Sequence, residues 1–319
     1  MESHEVIKLQ PASPAPAARN PALIYCARLQ GSGRSSMVAM LRRLAQSRSA
    51  TLETFPWHST RYEHVQAIIS KAAAEGYAPG TVNLLRVALR EIARISWSLG
   101  LLSSEELQCI LTVKAIRGSR LPPGKALSRG ELSTLFAALA DDTTPAGARD
   151  TAILALGYGA GLRRAEIAAL QLDQIGVDGE GYTLRVLGKG NKERLIFLND
   201  GGADALRVWI SARGPEPGPL FYAGRKGGHL LPGQGMDPGS IREIVVRCAA
   251  GAGLQASPHD LRRSFVSDLL DADVDISTVA SMARHASVTT TARYDRRGKE
   301  AQWKASKALH VPYHLRKGY

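Results

Sequence analysis

Residues 114–125 (KAIRGSRLPPGK) constrain the fold more than any other segment, because they cut a largely helical chain in two. Proline lacks the backbone donor and clashes with the preceding turn, so Pro-Pro-Gly cannot continue a helix. On both sides the apolar spacing is helical, and the chain reads as two blocks joined by a basic linker. Its 319 residues are also more than one domain of roughly 100–200 residues needs. The expected division is a Pro/Ala/Ser-rich disordered tail over 1–20, a helical domain over 21–113, the linker over 114–126, a second domain over 127–296 and a tail over 297–319.

In the first block, Thr60-x-x-Glu63 and Ser103-x-x-Glu106 both fit the capping box that opens a helix. Leu85, Ala88, Leu89, Ile92 and Ile95 form an apolar stripe at helical spacing, with Arg86, Arg90 and Arg94 off it. That arginine row is either a phosphate-facing surface or a solvated helix face. In the second block, Ser128-x-x-Glu131 is another capping box, and helices are predicted over 129–140 and 145–156, the latter with Thr144 as N-cap and Pro145 in the first turn. Residues 182–198 (YTLRVLGKGNKERLIFL) change period: two alternating runs flank Gly-Lys-Gly-Asn-Lys, a hairpin signal. Past a Gly/Pro-rich loop over 213–239, helices return at about 240–252, 258–271, 275–283 and 299–309. The fold class is therefore two-domain and mainly α: a helical N-terminal domain, then a mixed α/β domain with a small antiparallel sheet.

A formal net charge of +12 favours a polyanionic partner, either nucleic acid or an anionic membrane surface. The longest apolar stretch, near 151–162, is broken by glycines and falls short of the ~20 residues a membrane span requires. Cys26, Cys109 and Cys248 form no CxxC or Cys/His ligand spacing, as expected of reduced thiols, and MESHEVIKLQ lacks the basic-then-apolar run of a secretion signal. The expectation is a soluble, cytoplasmic protein without membrane contact. Asp271-Ala-Asp273-Val-Asp275 resembles the start of a calcium loop, but Ile276 stands where glycine is needed and Met282 where glutamate is needed. No metal and no cofactor are expected.

The segments that carry chemistry lie in the second block. They are Gly-Leu-Arg163-Arg-Ala-Glu166, Gly188-Lys189-Gly190-Asn-Lys-Glu-Arg, His259-Asp-Leu-Arg262-Arg-Ser-Phe, and His285-Ala-Ser-Val-Thr-Thr-Thr-Ala-Arg-Tyr294. Each is modest alone. In this order and spacing they resemble the motifs of the tyrosine recombinase (phage integrase) family, strongly over about residues 125–296. Residues 21–113, including Asn20-Pro-Ala-Leu-Ile-Tyr and Phe55-Pro-Trp, resemble that family's core-binding domain more weakly. The resemblance implies a recombinase that cuts and rejoins DNA through a 3′-phosphotyrosyl link, with Tyr294 as nucleophile and Lys189 protonating the departing 5′-oxygen. His259 would assist proton transfer and His285 would donate to the phosphate. The partners implied are double-stranded DNA with a specific site and three further copies of the chain, docked through a C-terminal helix over 299–309. Where the family usually has glycine before the second histidine, this chain has Arg284; a left-handed backbone there would cost about 1 kcal/mol or more.

Elementary chemistry agrees. A phenol of pKa about 10 is ionised in only about one molecule in a thousand at neutral pH, so a tyrosine attacking a phosphodiester needs a cationic, proton-accepting surround. Charge building on the non-bridging oxygens calls for fixed donors, and the planar fork of arginine supplies two to one phosphate. Arg163 and Arg262 are the pair for that task; their neighbours Arg164 and Arg263 are expected in surface salt bridges. Ser257 as N-cap and Pro258 fix a helix on which Leu261, Phe265 and Leu269 form the apolar stripe, leaving His259 and Arg262 together on its edge. Candidate DNA contacts are Arg86, Arg90, Lys114, Arg117, Arg120, Lys125 and Lys192, the last a rival to Lys189 at the hairpin tip. The two domains are expected to grip opposite faces of the duplex. Two alternatives stay open: a type IB topoisomerase-like DNA-relaxing enzyme, and a catalytically silent DNA-binding protein of the same fold.

Overall fold

A computed structural model of the protein describes residues 19–118, 124–188, 192–225, 227–285, 287–292, 294 and 306–307, without the side chains of 31, 32, 188 and 192. The chain divides into two compact units, residues 1–122 and 123–319. Most of the 1–20 tail, Arg120, Lys189 and all but two residues of the 299–309 helix lie outside the described residues.

The first unit contains α1 (Pro21–Arg28), α2 (Gly31–Gln46), α3 (Tyr62–Ala74), α4 (Pro79–Ser98) and α5 (Ser104–Leu111). The stripe on α4 is buried as its spacing predicts, and packs with Leu41, Trp57, Val65, Ile69 and Ile110 into one core. Side chains of this kind contribute about 1.5–3 kcal/mol each on burial. Asn20 is itself buried: its Oδ1 accepts from the N–H groups of Ala22 (3.0 Å) and Leu23 (3.2 Å) at the start of α1, and its Nδ2 donates to the Glu53 carbonyl (3.0 Å). The Ser103/Glu106 capping box forms, with reciprocal bonds of 2.8 and 3.1 Å. The Thr60/Glu63 box does not. Helix α3 begins one residue later, capped at Arg61, whose N–H donates to His64 Nδ1 (3.1 Å). Arg61 is held there because its guanidinium donates to the His58 carbonyl (2.9 Å) and pairs with Glu106 (2.5 Å).

The second unit runs α6 (Arg129–Ala140), α7 (Pro145–Gly159), α8 (Arg164–Ala169), β1 (Ile175–Asp178), β2 (Gly181–Gly188), β3 (Lys192–Leu198), α9 (Asp200–Arg213), β4 (Tyr222–Gly224), β5 (Leu230–Gly235), α10 (Pro238–Gly251), α11 (Pro258–Asp271), α12 (Ile276–Ala283) and α13 (Val288–Ala292). Helix α7 is buried all round: Ala152, Ile153, Leu154 and Leu156 are wholly inaccessible, and α6, α8, α9, α10 and α11 pack around it. The predicted hairpin is present, paired from Tyr182↔Leu198 to Gly188↔Lys192, and β1 extends it into an antiparallel sheet of order β1-β2-β3. The Gly/Pro-rich region expected to be a loop instead holds the β4–β5 pair, bulged between Tyr222 and Gly224. Arginines hold this region: buried Arg149 on α7, distant in sequence, donates to the Tyr222 carbonyl (3.0 Å), and the nearby Arg213 at the end of α9 donates to the Pro219 carbonyl (2.8 Å) just before β4. Among the described residues no helix is long and apolar enough to cross a membrane.

Candidate active site

Helix α7 ends in a left-handed turn that has no room for a side chain. Gly161 has φ +57°, and a Cβ there would lie 2.4 Å from Cδ1 of Phe265 on α11. The turn delivers Arg163 to the N-cap of α8, where its N–H donates to Glu166 Oε2 (2.8 Å) and its Nη1 to Glu166 Oε1 (3.1 Å). Glu166 is buried, while the Arg163 side chain keeps 43% of its surface exposed.

Helix α11 starts as predicted at Pro258, with the Ser257 N–H (2.9 Å) and hydroxyl (2.6 Å) both donating to Asp260 Oδ2. Leu261 packs within van der Waals reach of Gly157, so α7 and α11 approach closely. Arg262 is only 3% exposed, and donates through Nη1 to the Gly161 carbonyl and through Nη2 to the Ala283 carbonyl. Burial first, and then the neighbouring Arg163, lower its pKa to about 9, which leaves it charged at neutral pH. Arg263, expected on the surface, is 5% exposed and faces Asp260 at 3.4 Å. Packing keeps Arg263 from the surface: α11 is covered on this side too, by the segment at Gly124, where a Cβ would meet both the Asp260 and Arg263 side chains. Arg164 is exposed.

The end of α12 joins these parts. Arg284 adopts φ 52°, ψ 50°, the left-handed conformation for which the sequence flags a glycine position. The Arg284 N–H donates to the Ser281 carbonyl (3.0 Å) and the His285 N–H to the Ala280 carbonyl (2.9 Å), a Schellman closure. The next three carbonyls have no helical donor. Each takes an arginine: Met282 from Arg194 Nη1 (3.0 Å), Ala283 from Arg262 Nη2, and Arg284 from Arg163 Nη2 (2.9 Å). The negative end of the helix dipole thus faces three guanidinium groups.

His285 follows directly, with its Nδ1 2.8 Å from the hydroxyl of buried Thr291 on α13. If that hydroxyl donates, Nε2 carries the proton and is free to donate in turn. Burial, then the charges of Arg262, Arg163 and His259, pull its pKa to about 4, so the imidazole is neutral at pH 7. The Tyr294 ring lies 5.9 Å from the His285 ring, centroid to centroid, at 30°. Its backbone is tied down by its own N–H to the Thr291 carbonyl (2.9 Å) and by the Ser267 hydroxyl to its carbonyl (3.3 Å). His259 is exposed at the start of α11; partial desolvation and the charges of Arg263, Arg262 and Arg163 lower its pKa as well.

Of the expected catalytic residues, Arg163, Arg262 and His285 meet at the end of α12, with Tyr294 beside His285 and His259 within the field of the arginines. Lys189 and the side chain of Lys192 lie outside the described residues. The sequence motifs point neither to Arg194 nor to the buried role of Glu166. Both left a signal: Glu166 stands three residues after Arg163, at capping-box spacing, and Arg194 shares the inward register of β3 with Ile196 and Leu198.

In the first unit, Arg86 donates to the Val113 carbonyl (3.0 Å), and Asn83 exchanges two 2.9 Å bonds with the backbone of Ile116. Arg90 is half-buried, and its Nε has no hydrogen-bond partner among the described residues. Lys114 and Arg117 are exposed, and Lys125, in the second unit, pairs with Glu131. Among the described residues no group of three or more His, Cys, Asp or Glu side chains could hold a metal ion.

Residues 125–300, which carry the cluster around the end of α12, match the phage integrase family. The chain belongs to that family. Tyrosine recombinase XerC of Corynebacterium efficiens is 32% identical over 234 residues, 72% of each chain. Tyrosine recombinase XerD of Caulobacter vibrioides is 30% identical over 74% of this chain and 77% of its own. This phage integrase family member is accordingly a tyrosine recombinase. Its fold resembles the Tn1549 transposon integrase solved with circular intermediate DNA (TM-score 0.64, 14% identity, 90% of this chain and 99% of that one). It also resembles a lambda integrase dimer bound to a core site (TM-score 0.61, 16% identity, 92% and 96%).

Proposed function

We propose that this tyrosine recombinase cuts and rejoins double-stranded DNA at a specific site through a 3′-phosphotyrosyl link to Tyr294. The observation that carries the reading is the convergence of Arg163, Arg262, His285 and Tyr294 on the end of α12, where the arginines are already oriented by backbone carbonyls. Family membership, the charge of +12 and the DNA-bound state of the two structural neighbours support DNA as the substrate.

In the proposed step, the Tyr294 oxygen attacks the scissile phosphorus and its proton passes to neutral His259. The bond from phosphorus to the 5′-oxygen breaks, and Lys189 supplies the proton to that oxygen. The exposed guanidinium of Arg163 and the positive charge of Arg262 meet the charge gathering on the phosphate, and neutral His285 donates from Nε2. One phosphoester is exchanged for another, so attack by a new 5′-hydroxyl reseals the strand without ATP. Exchange between two duplexes requires two cut sites, and we assign the work to four copies of the chain, with residues 299–309 docking on a neighbour. Sedimentation of the chain on two-site DNA as a four-copy complex, lost on removal of 297–319, is the result that assignment requires.

Covalent trapping tests the chemistry. The chain is mixed with nicked duplexes drawn from the flanks of its own gene, resolved on denaturing gels and mapped by mass spectrometry. The expected result is a DNA adduct on Tyr294 that disappears in Tyr294→Phe. An adduct on Tyr313 or Tyr319 keeps the class and overturns the nucleophile. Tight binding of these duplexes with no adduct favours the silent DNA-binding protein.

A further inference from the structure

The reaction above assigns no part to Arg194, yet its placement is unlike that of an ordinary strand arginine. Along β3, Ile196 and Leu198 are buried while Leu195 and Phe197 are exposed, and Arg194 falls on the buried side. A charge on the inward face of a sheet calls for partners; both Nη groups of Arg194 have them, while its buried Nε has none among the described residues. The side chain is 12% exposed and spans two separate segments: Nη2 donates to Glu166 Oε2 (3.1 Å) at the start of α8, and Nη1 to the Met282 carbonyl (3.0 Å) at the end of α12.

We infer that Arg194 is a positioning residue for the reaction: it joins the Glu166 carboxylate to the end of α12 and thereby sets both Arg163 and the turn that presents His285. This inference rests on the proposed reading of the site. Glu166 is shared, its Oε1 taking Arg163 Nη1 (3.1 Å) and its Oε2 taking the Arg163 N–H (2.8 Å) and Arg194 Nη2. Arg194 therefore occupies the carboxylate oxygen that a second bond from the Arg163 guanidinium would need. Without it, Glu166 is free to take Arg163 as a two-toothed partner, drawing it off the Arg284 carbonyl and away from a phosphate. The same loss frees the Met282 carbonyl, two residues before Arg284 and three before His285. We assign Arg194 no contact with substrate, since both of its Nη groups are engaged by Glu166 and Met282; it acts through Arg163 and His285.

The test compares the full-length chain with Arg194→Met and Arg194→Lys, measuring the single-turnover rate of Tyr294 adduct formation on the duplex mapped by trapping. Two versions of that duplex are used, one with the natural scissile phosphodiester and one with a methylphosphonate there, which is uncharged and leaves Arg163 less to neutralise. Arg194→Met is expected to slow adduct formation about tenfold or more on the phosphodiester and only about threefold or less on the methylphosphonate, because the fault lies in aiming Arg163. Arg194→Lys, which keeps the charge but has one donor head for two acceptors, is expected to fall between. Thermal melting and duplex binding, both measured in a Tyr294→Phe background, should change little in the lysine variant. Equal losses on the two substrates, or losses in both variants that track their melting temperatures, would overturn the inference in favour of plain stabilisation. A wild-type adduct with undiminished rates in both variants overturns this inference alone, whereas a wild-type chain that binds without forming any adduct overturns the reading beneath it.

Discussion

Gly161 and Gly179 offer a controlled pair for measuring how tightly α11 is locked against the turn before Arg163. Their backbones are nearly the same, φ +57° and +58°, so alanine carries the same left-handed strain at each, about 1–2 kcal/mol. Their surroundings are opposite. A Cβ at Gly179 meets nothing within 4 Å, whereas one at Gly161 lies 2.4 and 2.6 Å from two carbons of the Phe265 ring. That ring is 6% exposed and packs with Val266, Leu270, Val279 and Ala283, so it has little room to withdraw. Overpacking of this kind costs about 1–3 kcal/mol more. Gly179→Ala should therefore lose about 1–2 kcal/mol and Gly161→Ala about 2–5 kcal/mol, read as urea midpoints at unchanged m-value. Adding Phe265→Leu to Gly161→Ala should restore part of the difference, since the two sites are in contact. Equal losses at the two glycines would refute the reasoning, because they would show that Phe265 gives way freely. The Gly161 carbonyl also accepts from Arg262, so Gly161→Ala should slow Tyr294 adduct formation even where the fold is intact, and Gly179→Ala should not.

Two other perturbations bear on the site and on the first unit. His285 has its pKa held near 4, against about 6.5 in an unfolded chain, so between those values the unfolded state binds a proton that the folded state refuses. Stability from this group is full above pH 6.5 and declines as pH falls toward 4, by at most about 1.4 kcal/mol per pH unit. His285→Gln should flatten that slope in acid urea titrations, leaving the part due to His58, His64 and His259, whose pKa values burial also lowers; an unchanged slope would place the titration elsewhere. On α4, Arg90→Gln should weaken DNA binding and reduce the slope of log affinity against log salt by about 1, with little change in stability. Arg86→Gln should instead cost about 1–2 kcal/mol of stability, because the Val113 carbonyl loses its donor; salt slopes that respond equally to both would show that Arg86 also faces the duplex.

Local rules acting over a few residues are legible in the chain by itself. The helices begin where Ser103, Ser128, Thr144 and Pro258 place them, because capping depends on atoms within one turn. The hairpin at 182–198 follows from period-two alternation around glycines, and ordered motifs single out Arg163, Arg262, His285 and Tyr294, which the fold brings together at the end of α12. Arg284 was flagged as a residue in a glycine's place, and its left-handed backbone is what that position demands. What folding alone decided are the matters of long-range partnership. Arg263 is buried rather than exposed because the segment at Gly124 covers it, and the β4–β5 pair is tied to α7 by Arg149, far away in sequence, which donates to Tyr222. Glu166 and Arg194 stand 28 residues apart, and no periodicity announces that they share a bond. Nor does any motif reveal that the last carbonyls of α12 each receive an arginine. Those bonds form because the end of a helix leaves acceptors that must find donors, and which donors arrive is settled only when α8, α11 and β3 close around it.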